Sequence, residues 1–366
     1  MRVLLVRPTA SGGLAAHVDQ ELALLLGAGH EAAEAPVRIR ERPSPRHDAA
    51  TVVALRRILR GATEPVAVHA HGLRAGALAA LAAPRRGGHR LVVTLHNRTV
   101  GGLVTRLIGG ALLRVLARRA DVVLAVSPDL AEQARAAGAK DVRHALVPAP
   151  AAGDVAPVTA DPPTRPGAAV MPRTPPSAAS TEGPGSAEAG DGDVLDALVI
   201  ARLAPQKGLH DLLDAAALLR DAGVRIRIAG DGPLRAELDA RLAAEDLPVE
   251  LLGRREDVPD LLRSADLVLS AAHWEGQPVA LQEALGAGRA TVATDAGGTR
   301  WVTGAAARLV PVGDPAALAA AVLALRDPLE RARCEAASRR RARELPRAED
   351  LLAQLEEVLA PAPGRW

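Results

Sequence analysis

Arg202 and Lys207 stand five residues apart in IARLAPQKGLHDLL, between an apolar run and a helical pattern. Two cations in such a loop form a clamp for a diphosphate, arginine as a planar fork and lysine as a point charge. A pair of solvated loop cations is the alternative. Further along, SAAHWEGQPVALQEALGAG (residues 270–288) carries Glu275 and Glu283 on either side of Pro278. Pro278 suits a helix start and Gly288 its end, which predicts a helix over about 278–287. On one continuous helix the two carboxylates would lie ~12 Å apart along the axis and about 80° around it. Glycosidic acid/base pairs work at about 5 to 9.5 Å. The spacing therefore argues against a joint proton-transfer dyad. It suits two anchors on different parts of an elongated ligand, with the helix N-terminus between them facing an anion. Taken singly, Glu275 also fits as a complement to the helix dipole, and Glu283 as part of a solvated face.

Weaker signals surround these. RPTASGGLAAH places Gly12 and Gly13 before a helix, where a backbone can approach a ligand and free N–H groups can meet phosphate. The spacing is not GxGxxG, and a tight strand-to-helix turn explains it as well. TLHNRT ends an apolar run at His96 and Asn97, and HAHGLRAG ends another at His69 and His71. Histidines at the carboxyl ends of strands point at a cleft; for His69 and His71 a structural role is the better reading. No HxxxH or HExxH pattern occurs, so the sequence assigns no metal. Asp231, in IAGDGPLRAEL, reads as a helix cap, and the DGD at 191–193 precedes its strand and reads as accidental.

The elements that must position these residues repeat twice. Continuous apolar runs at 2–6, 66–70, 91–95, 121–126 and 143–147 read as strands buried on both faces. Helical patterns lie between them, at 14–29, roughly 50–60, 74–83, 102–119 and 128–137. The alternation resumes with strands at 195–201, 224–230, 249–253, 265–270 and 290–295. Strand–helix–strand succession is the signature of a parallel doubly wound sheet. The expected class is α/β, with two tandem Rossmann-like domains facing a cleft: 1–150, then 194–330, then a charged helical tail over 331–366. Between the domains, 151–193 is rich in Pro, Ala, Ser, Thr and Gly without periodicity and reads as a disordered linker. Ligands in such folds bind outside the carboxyl ends of the strands.

Composition narrows the classes further. Of 366 residues 48% are apolar but only 1% aromatic, with neither Phe nor Tyr. Base stacking could rest only on Trp274, Trp301 and Trp366, which disfavours nucleic acid as a partner. One cysteine, Cys334, excludes an internal disulfide. The apolar run after Arg2 is too short for a secretory signal, and the longest, 316–325, is about half a membrane span. A soluble, cytoplasmic protein is expected. Residues 1–150 carry 21 Lys and Arg against 11 Asp and Glu, a balance of +10, and the rest carries −8, for a net +2. A basic first half facing an anion and a scatter of solvated arginines explain this about equally. RTVGGLVTRLIGGALLRVLARR (98–119) offers either peripheral contact with anionic membrane or a core helix with an exposed basic edge, and the poor segregation of its arginines favours the second.

In order, IARLAPQKGLHDLLDAAALL, IAGDGPLRAEL and WEGQPVALQEALGAGRATVATDAGG resemble the retaining, nucleotide-sugar-dependent glycosyltransferases of family 4, with the GT-B fold. The last matches that family's E-x7-E signature. The resemblance implies that Glu275 hydrogen-bonds hydroxyls of the donor sugar and Glu283 holds the ribose. Arg202 and Lys207 would neutralise the diphosphate with the backbone of Gly276, Gln277, Pro278, Val279 and Ala280. His96 would lie by the sugar, Gly12 and Gly13 by the phosphates, and the last helical segment would return to the first domain. The chain differs in having Gln277 where an aromatic residue is usual, Trp301 where a glutamate is common, and a longer linker. The implied reaction is glycosyl transfer with retention to an unidentified acceptor (lipid, glycan or small molecule), with no metal needed at the diphosphate and no cofactor. The rivals are a nucleotide-sugar 2-epimerase and an inactive donor-binding regulator.

Overall fold

The computed structural model describes residues 1–9, 13–40, 44–84, 88–99, 101–149 and 194–361. The first half opens with β1 (Arg2–Val6), α1 (Gly13–Gly27), β2 (Glu31–Glu34), α2 (Pro45–Gly61), β3 (Ala67–His71) and α3 (Leu73–Ala82). It continues with β4 (Arg90–Leu95), α4 (Leu103–Ala117), β5 (Val122–Ala125), α5 (Pro128–Ala136) and β6 (Val142–His144). All of its strand pairings are parallel, in the order β2-β1-β3-β4-β5-β6. The second half holds β7 (Leu195–Ile200), α6 (Leu209–Leu218), β8 (Val224–Ala229), α7 (Arg235–Glu245), β9 (Val249–Gly253), α8 (Val258–Ser264) and β10 (Leu267–Ser270). Then come α9 (Val279–Gly286), β11 (Ala290–Thr294), α10 (Thr299–Thr303), β12 (Arg308–Val310) and α11 (Pro315–Ala324). Its sheet is also all parallel, in the order β12-β11-β10-β7-β8-β9. The molecule is thus two doubly wound Rossmann-like sheets, and the described residues of 1–149 and 195–361 belong to one compact unit.

Central strands are buried along nearly their whole length, as in RLVVTL (iBBBBB) and LDALVI (BBBBBi), because helices cover both faces of a parallel sheet. Strand order reverses between β1 and β3 in the first sheet and between β7 and β10 in the second. Crevices open at the carboxyl ends of strands at such switch points. Arg202 and Lys207 follow β7, and Glu275 follows β10.

The tail is two helices. α12 (Pro328–Ala342) lies against α9 and β11, and α13 (Ala348–Leu359) packs on α1 and β4 of the first half. The break falls at Pro346, which cannot continue a helix interior. In α13, Leu351, Leu355, Val358 and Leu359 lie on one face and join the core of the N-terminal sheet. Each such burial contributes about 1.5–3 kcal/mol. Arg143 reaches Glu357 at 2.5 Å and His30 reaches Glu356 at 2.8 Å, so polar contacts flank that seam. The proline-rich stretch 151–193, Trp366 and Gly12 lie outside the described residues.

Candidate functional site

A cavity of about 750 Å³ opens where the two switch points meet, and residues of both halves line it. Gly13 and His17 come from the first turn of α1 and His96 from the end of β4. Arg202, Lys207, Glu275, Glu283 and the segment from Gly276 to Ala280 come from the second half. The structure therefore brings together every proposed donor-site residue except Gly12, which is not described.

Local sequence explains each placement. Gly208, after Lys207, has φ +61°, and a Cβ there would stand 1.9 Å from the Ala271 carbonyl oxygen. Only glycine reaches this left-handed conformation without penalty. The resulting turn carries Lys207 to Glu275: Nζ donates to Oε1 at 2.6 Å, and the carboxylate is buried. Arg202 is exposed, and among the described residues its side chain makes no hydrogen bond or ion pair, so its guanidinium stays available to an anion. Helix α9 begins after Pro278, which offers no side-chain cap. Leu281 N and Gln282 N donate to the Pro278 carbonyl oxygen, so the N–H groups of Val279 and Ala280, two residues that line the cavity, are the ones a phosphate could meet.

Glu275 sits in the loop before α9 and Glu283 within it, so the two carboxylates are not on one continuous helix. Burial pushes the Glu283 carboxyl above the usual range. Burial also holds His96 well below the usual imidazole range, aided by the neighbouring imidazoles of His71 and His17. His96 is therefore neutral near pH 7, a hydrogen-bonding group and not a cation.

Gln277 lines the cavity, yet its amide serves the chain crossing. Its Oε1 accepts from Val147 N at 3.1 Å, and its Nε2 donates to the Ala145 carbonyl oxygen. Gln282 does the same one turn on, accepting from Ala149 N at 3.0 Å and donating to Val147 O at 2.8 Å. Gln354 of α13 accepts from Leu146 N at 3.0 Å and donates to His144 O at 2.8 Å. Three glutamines thus hold the segment 144–149, which leaves β6, by its backbone; the strand expected over 143–147 spans only Val142–His144. Trp301 packs its ring on His144, with centroids 4.0 Å apart.

Closeness between the halves depends on small residues. A Cβ on Gly276 would meet Val126 Cγ2 at 2.7 Å, and one on Gly298 would meet the Val126 carbonyl oxygen at 2.7 Å. Trp274 crosses to the N-terminal core and donates its Nε1–H to Asp129 Oδ2 at 3.1 Å.

Sequence reasoning missed His17, Arg254 and Arg255, all lining the cavity. The two arginines follow β9 in LLGRRED, a strand end of the same kind as that before Arg202, so the signal was present. His17 lies inside an amphipathic helical pattern, where nothing in the sequence marks it.

The fold and the site together define a GT-B-type molecule, with a cleft lined by Arg202 and Lys207 between two Rossmann-like halves. Residues 2–150 match the family model described as glycosyl transferase 4-like domain, and residues 195–327 match that of the glycosyl transferases group 1. The chain belongs to the group 1 glycosyl transferases with the GT-B fold. It is 35% identical over 144 residues to the GDP-mannose-dependent alpha-(1-6)-phosphatidylinositol dimannoside mannosyltransferase of Mycobacterium tuberculosis, which is 38% of this chain and 37% of that one. To the amylovoran biosynthesis glycosyltransferase AmsK of Erwinia amylovora it is 32% identical over 142 residues, 35% of each chain. The chain spans about a third of the length of the curated relatives it matches. Among solved structures, Anabaena Alr3699/HepE in complex with UDP superposes with a TM-score of 0.71 at 19% identity, over 98% of this chain and 99% of that one. No helix among the described residues is long and apolar enough to cross a membrane.

Proposed function

We propose that the chain is a retaining glycosyltransferase that moves a sugar from a nucleoside-diphosphate sugar to an acceptor. One observation carries this reading: Arg202, Lys207 and the uncapped start of α9 converge in a cavity that Glu275, Glu283 and His96 also line. The cations and the helix start meet the diphosphate, Glu283 the ribose, and Glu275, held by Lys207, the sugar hydroxyls. The complexes of HepE with UDP and with UDP-glucose support a donor of this chemistry.

The bond from the sugar's anomeric carbon to the phosphate oxygen breaks first, leaving an oxocarbenium-like centre. Charge developing on the departing diphosphate is met by Arg202, Lys207 and the α9 dipole. The acceptor hydroxyl then bonds to that carbon on the same face, and its proton passes to the leaving phosphate. NMR of the product tests this: its anomeric configuration should equal the donor's. An inverted product would rule out retention, and a changed sugar formed without acceptor would favour an epimerase.

For the acceptor, the first turns of α4 supply a specific feature. The expectation of a core helix holds only for its second half, where Gly109, Leu116 and Ala117 are buried. Leu103, Val104, Leu107 and Ile108 are more than half exposed, beside Arg106. Such a patch suits contact with an anionic lipid surface, and the lipid named in the mycobacterial relative's reaction supports that reading. Flotation with anionic vesicles at low salt should carry the chain upward, and Leu107→Glu should reduce this. No flotation at low salt would remove the lipid reading.

A further inference from the structure

Side chains alternate along β3, so His69 and His71 project from the same face of the sheet. Glu21 of α1 meets them there, and all three side chains are at most 2% exposed. Glu21 Oε2 lies 3.1 Å from His69 Nδ1 and 3.2 Å from His71 Nε2. None of these three atoms makes a hydrogen bond. Their outer counterparts are all engaged. Glu21 Oε1 accepts from His17 Nε2 at 2.8 Å, His69 Nε2 pairs with Thr94 Oγ1 at 2.7 Å, and His71 Nδ1 pairs with His96 Nε2 at 3.2 Å. With the ring protons on those outer nitrogens, His69 Nδ1 and His71 Nε2 present bare lone pairs to a carboxylate oxygen. Buried polar atoms are nearly always paired, and three without a hydrogen bond converging on one point are arranged to hold a cation.

We propose that Glu21, His69 and His71 form a binding site for a divalent transition metal, with Zn²⁺ the best fit, inside the N-terminal domain. Two imidazoles and a carboxylate are a zinc donor set. Bonds of about 2.0–2.1 Å at tetrahedral angles place ligand atoms roughly 3.3 Å apart. The Glu21 separations of 3.1 and 3.2 Å match that spacing, and all three atoms lie within 4.8 Å of one another. The outer contacts are of the kind that orient metal ligands, each histidine offering its second ring nitrogen to a partner. Bound there, the ion ties α1 to β3. It also fixes the proton of His71 on Nδ1, so that His96 accepts through Nε2 and turns its own Nδ1–H elsewhere, toward the cleft it lines. No local motif announces the site, because a helix and a strand almost fifty residues apart supply its ligands. It lies apart from the diphosphate clamp and does not depend on the reaction assigned to the cleft.

The test is titration of Zn²⁺ alone into the chelator-stripped full chain against a chromophoric competitor, with Co²⁺ absorption as a second readout. One equivalent of Zn²⁺ should bind, and Co²⁺ should give the intense visible bands of tetrahedral coordination. Glu21→Gln should weaken the affinity at least about 100-fold. Thr94→Val, which leaves the ligands in place, should weaken it about 10- to 100-fold, as loss of an outer partner does, with an unchanged circular dichroism spectrum. Absence of stoichiometric binding by the folded wild type would overturn the site. So would zinc that survives Glu21→Gln but is lost in His96→Ala, which would place the ion at the cleft-facing trio His17, His71 and His96.

Discussion

At the scale of the residue, the cleft depends on where charge is neutralised and where it is left available. Lys207 is committed to Glu275 at 2.6 Å, whereas the side chain of Arg202 is without a partner among the described residues. In the proposed site the lysine therefore positions the sugar-side carboxylate as well as facing the phosphates. Lys207→Ala and Arg202→Ala should each lower turnover at least about 100-fold, the scale of losing one electrostatic stabiliser of a transition state. They should differ in one respect: only Lys207→Ala also frees Glu275 and weakens discrimination among donor sugars. Steady-state rates with several nucleotide sugars check both statements, and near-normal rates in both variants would refute the clamp. Glu283 supplies a pH dependence. Its carboxyl pKa is raised by burial, and in the proposed site the ionised form is the one that would accept ribose hydroxyls. Donor affinity should fall as pH drops through that raised value, and Glu283→Gln should remove the dependence. Stability linked to Glu283 runs the other way, because the folded chain holds this proton more tightly than the unfolded chain. Binding measured by calorimetry across pH therefore separates loss of affinity from loss of fold.

At the scale of the element, the strand-to-helix turns and the crossing segment 144–149 do the positioning. Gly208→Ala forces a Cβ to within 1.9 Å of the Ala271 carbonyl oxygen in a left-handed conformation. It should cost at least about 1–2 kcal/mol from the backbone alone, seen as a lowered melting temperature together with weaker donor binding. An unchanged melting temperature would contradict the turn geometry. Gln282→Ala removes two hydrogen bonds to the segment 144–149. At about 1 kcal/mol for each such bond, hydrogen exchange of the Ala149 amide should quicken, while that of Val147, held by Gln277, changes less and the cores stay protected. The elements were largely legible beforehand. Strands such as RVLLV and RLVVTL stand where their apolar runs put them, because burial on both faces needs an unbroken run. β2 (EAAE) and β12 (RLV) gave no such signal, since an edge strand has one neighbour and needs little apolar surface. The tail read as one helical stretch because periodicity continues past Pro346, and only packing separates α12 from α13.

At the scale of the whole molecule, the cleft is a product of both halves and so was only half visible. The Arg202–Lys207 loop and the E-x7-E segment each occupy one short stretch, and their candidacy for the cleft could be read from residue types and spacing. His17, Glu21, His69 and His71 could not be read in that way. Their significance lies in contacts between α1 and β3, which spacing along the chain does not encode. The role of Gln277 was hidden for the same reason: its partners are the backbone of residues 145 and 147. The central claim is that a nucleoside-diphosphate sugar lies across the cleft, diphosphate on Arg202 and Lys207 and ribose on Glu283. A thermal-shift screen of nucleotide sugars against wild type, Lys207→Ala and Glu283→Gln tests this most directly. A ligand at about 100 times its Kd stabilises the chain by about 2.7 kcal/mol. At least one nucleotide sugar should raise the melting temperature of the wild type, and at the same concentration the shift should largely vanish in both variants. If no nucleotide sugar shifts the wild type, or if both variants respond as the wild type does, the proposed site is wrong.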